Sequence, residues 1–276
     1  MQAAKTNNAC FAYDAEDYHR GEDLPASALK IIREVEDLVL PFASYISAAS
    51  PLMGDEYRKL FPKVPVIPVE NMFLLKNQLT FKNIPHKVFK FFWFSQTIGP
   101  KRGLEEFISI LGQTNKKNIQ LSLLGNVRES YRLELINRWA KEGLLPESLV
   151  FTNTVPEKEI FDLASNHHFG LALESPYSIN RDICLTNEIY TYLLSGNFLI
   201  LSNTKAQKNF HTNFPETGIC IELENTLQAA KKINELFRHS EAIEQKRQSN
   251  FLLGQTKLNF DREKQILIRQ VNSLWE

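Results

Sequence analysis

Lys101 and Arg102 stand side by side between Gly99 and Gly103, where the aromatic-rich apolar run Val88–Ser95 gives way to an amphipathic segment. Adjacent cations supply charge-assisted hydrogen bonds, glycine lets a backbone approach an oxyanion, and a helix start presents unpaired N–H groups. With Ser95 and Gln96 just upstream, the stretch has the outline of a phosphate site. It is neither a GxGxxG nor a Walker loop, so taken alone it reads equally as a solvated basic turn. A second stretch, ESPYSINRDICLTNEIYTYLLSGNFLILSNT, leaves an apolar run at Glu174 and enters a short helix expected over Thr186–Ser195. If the helix start at Leu185–Asn187 faces the Arg102 loop, a diphosphate would sit between helix dipole and guanidinium.

Other residues are weaker candidates. Asp14, Glu16, Asp17 and His19 form the densest acidic cluster, at the end of an expected strand. One of them, with Asp17 as the candidate, would take the proton of an acceptor hydroxyl if it lies within hydrogen-bond reach; a capped, solvent-facing loop is the plainer alternative. His167 and His168 are adjacent at a helix-to-strand junction, a poor arrangement for sharing one metal, and read as packing residues. The aromatic run from Phe89 to Phe94 fits a strand covered on both faces better than a base-stacking platform. No Asp-x-Asp motif occurs, so no metal site is expected.

Composition narrows the classes. Lys plus Arg and Asp plus Glu balance at 32 each, which favours neither nucleic acid nor an anionic membrane as partner. Cys10, Cys184 and Cys220 are widely spaced, without CxxC or a zinc-type cluster, as in a reducing cytoplasmic protein. No apolar window approaches the roughly 18 residues of a membrane span, and polar residues follow Met1 where a signal peptide would be apolar. Peripheral membrane contact stays compatible with all of this.

The elements that must position the candidates are legible from Phe89 onward. VFKFFWFS, NIQLSLLG, LVFTN, HFGLALE, NFLILS and GICIEL alternate with amphipathic segments at Arg102–Gln113, Glu129–Glu142, Pro156–Asn166, Thr186–Ser195 and Thr226–Arg238. That alternation predicts an α/β domain with a doubly wound parallel sheet. Pro156 suits a first helical turn and Gly196 the residue just past a helix end. Earlier in the chain, NACFAY, SYISAAS and VPVIPV are strand candidates, with helices at Ala26–Leu40 and Gly54–Leu60. So thin a sheet reads as the closing part of a second α/β domain whose opening strands lie upstream of Met1. Asn71–Lys87, polar and carrying Pro85, reads as the linker. The expected division is 1–82, a partial N-terminal α/β domain with linker, and 83–276, a complete Rossmann-like domain closed by a helix over Asp261–Trp275.

Phe89–Trp275 resembles the C-terminal, donor-binding domain of GT-B fold glycosyltransferases of the "glycosyl transferases group 1" family. That family shows a basic residue before Gly at a helix start, here Arg102-Gly103, and L-x-G after the second strand, here Leu123-Leu124-Gly125. It also shows an Asn-Lys-x-Phe-Glu-Tyr helix followed by Gly and an apolar strand. Here that helix reads Asn187-Glu188-Ile189-Tyr190-Thr191-Tyr192 before Gly196. YDAEDYHRGE, ISAASPLMGDEY and VIPVENMF are similar to the later part of the family's N-terminal, acceptor-binding domain.

The resemblance implies transfer of a sugar from a nucleotide diphosphate sugar, UDP- or GDP-linked, to a glycan, lipid or small-molecule acceptor. It implies a metal-independent reaction without a permanently bound cofactor, with retention of configuration by family analogy alone. A bacterial enzyme of polysaccharide biosynthesis, in the cytoplasm or at the inner face of the membrane, fits that picture. Lys101 and Arg102 would neutralise charge on the β-phosphate, together with backbone N–H groups near Leu185, Thr186 and Asn187. Base and ribose would lie near Gly125, Asn126, Asn153, Val155 and Glu188, with Ser95, Gln96 and Gly99 in the phosphate loop and Glu174 on the floor or wall of the cleft. This chain departs from the family at two positions. Thr191 stands where the family carries a ribose-binding glutamate, and Glu188 where it carries lysine; Glu188, one helical turn from Thr191, could substitute for the glutamate. The alternative is a truncated or degenerate nucleotide-binding module without transfer activity. A GT-B-shaped epimerase would need carboxylates and histidines in the cleft, and no such set is evident.

Overall fold

The computed structural model describes residues 4, 6–7, 9–115 and 118–275. Ala12–Ala15 (β1), Tyr45–Ala48 (β2) and Val66–Pro68 (β3) pair in parallel, in the order β1-β2-β3. Parallel pairing demands crossovers, and these carry α1 (Ala26–Val39) and α2 (Pro51–Leu60). The central strand β2 is buried throughout, and Ile46 and Ala48 pack with Met53 and Tyr57 of α2. Helix α2 starts at Pro51, ahead of the expected Gly54. Ser50 caps it, Oγ accepting from Met53 N at 3.1 Å, and proline suits a position whose N–H would be unpaired.

The larger sheet comprises β4 (Phe89–Ile98), β5 (Ile119–Val127), β6 (Leu149–Thr152), β7 (Phe169–Ala172), β8 (Phe198–Leu201) and β9 (Gly218–Cys220). All pairs are parallel, in the order β6-β5-β4-β7-β8-β9. Helices α3 (Leu104–Gly112), α4 (Glu129–Lys141) and α5 (Glu157–Ser165) follow β4, β5 and β6 in turn. Two short helices, α6 (Ile179–Ile183) and α7 (Glu188–Ser195), follow β7, and α8 (Lys205–Asn213) follows β8. After β9 come α9 (Thr226–Arg238), α10 (Ser240–Thr256) and α11 (Phe260–Asn272).

Strand β4 explains the aromatic run. Phe91 and Trp93 enter one core layer with Phe107, Leu121 and Ile233, while Phe92 enters the opposite layer with Leu124, Tyr190 and Tyr192. Each face of the strand is covered by helices, so neither needs polar side chains. His167 is also a packing residue: its ring nitrogens meet Leu163 O at 2.8 Å and Ser122 Oγ at 2.9 Å. Burial holds His167 down at about 4 and His168 at about 3, so both rings are neutral near pH 7. Among the described residues, no group of three or more His, Cys, Asp or Glu could hold a metal ion. None of the helices among them is long and apolar enough to cross a membrane.

The segment between the sheets is bound to the larger one. Leu75 N donates to Asp261 Oδ2 at 3.0 Å, Gln78 Nε2 to Phe251 O at 2.9 Å, and Arg247 Nη2 to Lys82 O at 3.2 Å. Met72 is buried in the layer that also holds Tyr190 and Leu193.

Candidate functional site

Counted from β4, the larger sheet runs 3-2-1-4-5-6. The chain reverses direction across the sheet between β4 and β7, and such a switch point leaves a crevice beyond the carboxyl ends of the two strands. Here the loop 99–103 after β4 and the segment 173–187 after β7 meet. A cavity of about 930 Å³ opens beside them, bounded on the opposite side by Glu16, Asp17 and Ala49 of the smaller sheet unit.

Its wall contains Ser95, Gln96, Arg102, Asn126, Val155, Glu174, Leu185, Thr186, Asn187 and Glu188, all named from the sequence. Lys101, Gly99, Gly125, Asn153 and Thr191 lie outside that wall. Lys101 has φ 64°, which turns the chain sharply before α3. Its ammonium reaches Asp23 Oδ2 at 3.3 Å and stands 5.0 Å from the Tyr177 ring centre. Gly103 has φ 73°, and a Cβ there would come within 2.6 Å of Leu223, so glycine is needed for both conformation and space. Gly125, at φ 149°, lies so close to β4 that a Cβ would sit 2.3 Å from the Ser95 carbonyl oxygen. Asn153 is exposed beside the wall residues Thr154 and Val155. Thr191 is buried within α7.

Arg102 is 20% exposed and pairs with Glu174, Nη2 to Oε1 at 3.0 Å, while its guanidinium lies 5.5 Å from the Trp93 ring centre. Arg181 Nη1 approaches the same Oε1 at 3.7 Å. Ser202 Oγ accepts from Glu174 N at 3.0 Å, anchoring the residue just beyond β7. Burial pushes the Glu174 carboxyl up, against the pull of the two guanidiniums. Helix α7 begins at Glu188, with Asn187 as N-cap, slightly later than expected. The Thr186 hydroxyl donates to the Glu188 carboxylate, so that side chain folds back over its own helix start. Burial pushes Glu188 up to about 7, opposed by a bond from its own backbone N–H.

Asp17 is held from across the cleft. Asn180, fully buried, donates through Nδ2 to Asp17 Oδ1 at 2.9 Å and to Glu22 Oε1 at 2.6 Å. Its Oδ1 accepts from Tyr18 N at 2.8 Å and from Cys184 Sγ at 2.5 Å. The close approach this requires occurs at Gly21, where a Cβ would lie 2.8 Å from Ile179 Cβ. Asp14 is occupied elsewhere, accepting from Ser47 Oγ at 2.6 Å. Asn180 and Arg181 both belong to α6, in a stretch that reads as an irregular polar loop. The available signal was Ser178, whose hydroxyl caps α6 by accepting from Arg181 N at 3.2 Å.

No protein-family model and no curated protein matches the sequence. Solved structures match it in fold. HepE of Anabaena, in complex with UDP, superposes with a TM-score of 0.78 at 14% identity, over 99% of this chain and 74% of that one. Sucrose-phosphate synthase from Thermosynechococcus elongatus gives 0.77 at 13% identity, over 99% of this chain and 70% of that one. A glycosyltransferase from Rickettsia africae gives 0.74 at 11% identity, over 100% and 79%. HepE is also known in complex with UDP-glucose and with UDP and glucose. The chain is therefore an α/β protein, with one six-stranded and one three-stranded parallel sheet, that matches part of the GT-B glycosyltransferase fold.

Proposed function

We propose that the cleft binds a nucleotide diphosphate sugar and that the protein transfers the sugar to an acceptor entering from the Asp17 side. The observation that carries this is the convergence of Arg102 and the start of α7 on one cavity at the switch point of a GT-B sheet. As the bond from the anomeric carbon to the diphosphate oxygen breaks, negative charge grows on the β-phosphate. Arg102 and the backbone N–H groups of 185–187 would meet that charge, a contribution of about 3 kcal/mol for a well-placed donor. Lys101, paired with Asp23 outside the cavity wall, is left with a lesser part than its neighbour. Base and ribose would lie against Asn126, Val155 and Glu188, with Gly125, Asn153 and Thr191 behind them. Because Thr191 has no carboxyl, Glu188 is the nearby acid available to ribose hydroxyls. Asp17, aligned by Asn180, would accept the acceptor's proton. In this arrangement residues 83–276 serve the donor and 1–82 the acceptor.

The UDP complexes of HepE, which shares the fold, support a UDP-sugar over other donors. Thr191 favours a second reading, a nucleotide-binding module without transfer. Release of UDP from UDP-glucose, with water or a glycan as acceptor, separates the two. Turnover that disappears in Asp17→Asn and Arg102→Ala is the expected result; UDP binding without any turnover would favour the second reading.

A further inference from the structure

Two guanidiniums converge on a single carboxylate oxygen at the cleft. Arg102 Nη2 lies 3.0 Å and Arg181 Nη1 3.7 Å from Glu174 Oε1. They arrive from different elements, Arg102 from the loop after β4 and Arg181 from α6, so they flank the switch point from either side. Both line the cavity. Glu174 is 5% exposed, and its Oε2 is buried with no hydrogen-bond partner among the described residues. The Nε of each arginine is likewise buried and unpartnered.

This cluster is unsaturated. One carboxylate oxygen cannot satisfy two planar forks of five donors each, and buried donors without acceptors cost free energy until an acceptor arrives. Within the cluster itself two cations meet one anion, in a cavity whose wall also carries the carboxylates of Glu16, Asp17, Glu157 and Glu188. A diphosphate, with several anionic oxygens, suits two forks far better than a monophosphate or an uncharged sugar does. Arg181 is also held in place: Ser178 caps its helix, and the adjacent Asn180 is fully buried in bonds to the smaller sheet unit.

We infer that Arg181 is a second phosphate-binding cation, and that Glu174 is a resident anion that holds both arginines until a nucleoside diphosphate takes them over. This rests on the nucleotide diphosphate reading of the cleft. Arg102 would grip the diphosphate from the β4 side and Arg181 from the α6 side. Glu174 would compete with the ligand rather than help it.

Calorimetric titration of the full chain with UDP and UMP tests the inference, using Arg102→Ala, Arg181→Ala, Arg181→Lys and Glu174→Gln. Arg181→Ala should weaken UDP by about tenfold or more and UMP by less than about threefold, with partial recovery in Arg181→Lys. Glu174→Gln should tighten UDP by about threefold or more while lowering the melting temperature of the ligand-free protein, because two partly buried cations lose their counter-ion. A purely structural ion cluster would instead lose affinity in Glu174→Gln. UDP affinity unchanged in Arg181→Ala but lowered in Arg102→Ala would overturn the inference and leave the cleft reading standing. If the wild-type chain binds no UDP or GDP, the cleft reading itself falls. Should Arg181→Ala lose cooperative melting, Arg181→Lys and Glu174→Gln decide by the same criteria.

Discussion

Arg102 Nη2 sits 3.0 Å from Glu174 Oε1, joining the loop after β4 to the end of β7. In an exposed basic turn, Arg102 would be replaceable at no cost to stability. At 20% exposure and paired with a buried carboxylate, it is not. Arg102→Ala should weaken UDP binding by about 2 kcal/mol and also lower stability by about 1–3 kcal/mol, because Glu174 keeps only the more distant Arg181. Chemical unfolding with and without UDP reads both quantities. Stability equal to wild type would mean that Glu174 does not depend on Arg102.

Asn180 ties the two sheet units together through bonds to Asp17, Tyr18 and Glu22. Asn180→Ala should cost about 2–4 kcal/mol, since it removes several buried hydrogen bonds at once. Asn180→Asp should cost still more at pH 7, because it places a third carboxylate against Asp17 and Glu22. Thermal melts of the pair give the ranking. A less stable alanine variant would show that the amide's shape matters more than its donors.

Burial raises Glu188 and Glu70 to about 7, from an ordinary value of 4.5. The folded protein thus keeps protons that the unfolded chain releases. The stability they contribute is complete below about pH 4.5 and is lost as pH rises toward 7. Glu188→Gln and Glu70→Gln should therefore gain on wild type between pH 5 and pH 8, by about 1–3 kcal/mol each. Urea unfolding at the two pH values measures the difference. A gain that is constant with pH would show that neither carboxyl titrates in this window.

Residues 70–82 pack on α10 and α11 through Gln78, Leu75 and the Lys82 carbonyl. A fragment spanning 70–276 should accordingly melt about 5 °C or more above one spanning 83–276. Equal melting temperatures would make this segment a linker in the energetic as well as the topological sense.

The larger sheet was legible because parallel strands buried on both faces read as apolar runs, as Phe91-Phe92-Trp93 does. Helix α10 was not, because it is buried partly through polar contacts. Asn250 Nδ2 donates to Asn197 O at 2.8 Å and Thr217 O at 2.7 Å, and Gly254 lies against Leu193 and Leu194. Neither contact leaves a hydrophobic period to read. The basic loop 99–103 was legible as residue types but not as directions. Lys101 and Arg102 look equivalent in sequence, yet the left-handed turn at Lys101 accompanies its pairing with Asp23, while Arg102 faces the cavity. Arg181 escaped notice because its partner Glu174 lies seven positions upstream, across a stretch that follows neither a helical nor a strand period.

A crystal structure of the protein with UDP tests the central claim most directly. The expected result is the diphosphate at the switch point, a β-phosphate oxygen within about 3.5 Å of the Arg102 guanidinium and of the N–H groups opening α7. A diphosphate bound elsewhere, with Arg102 still paired to Glu174 and the cleft empty, would contradict it.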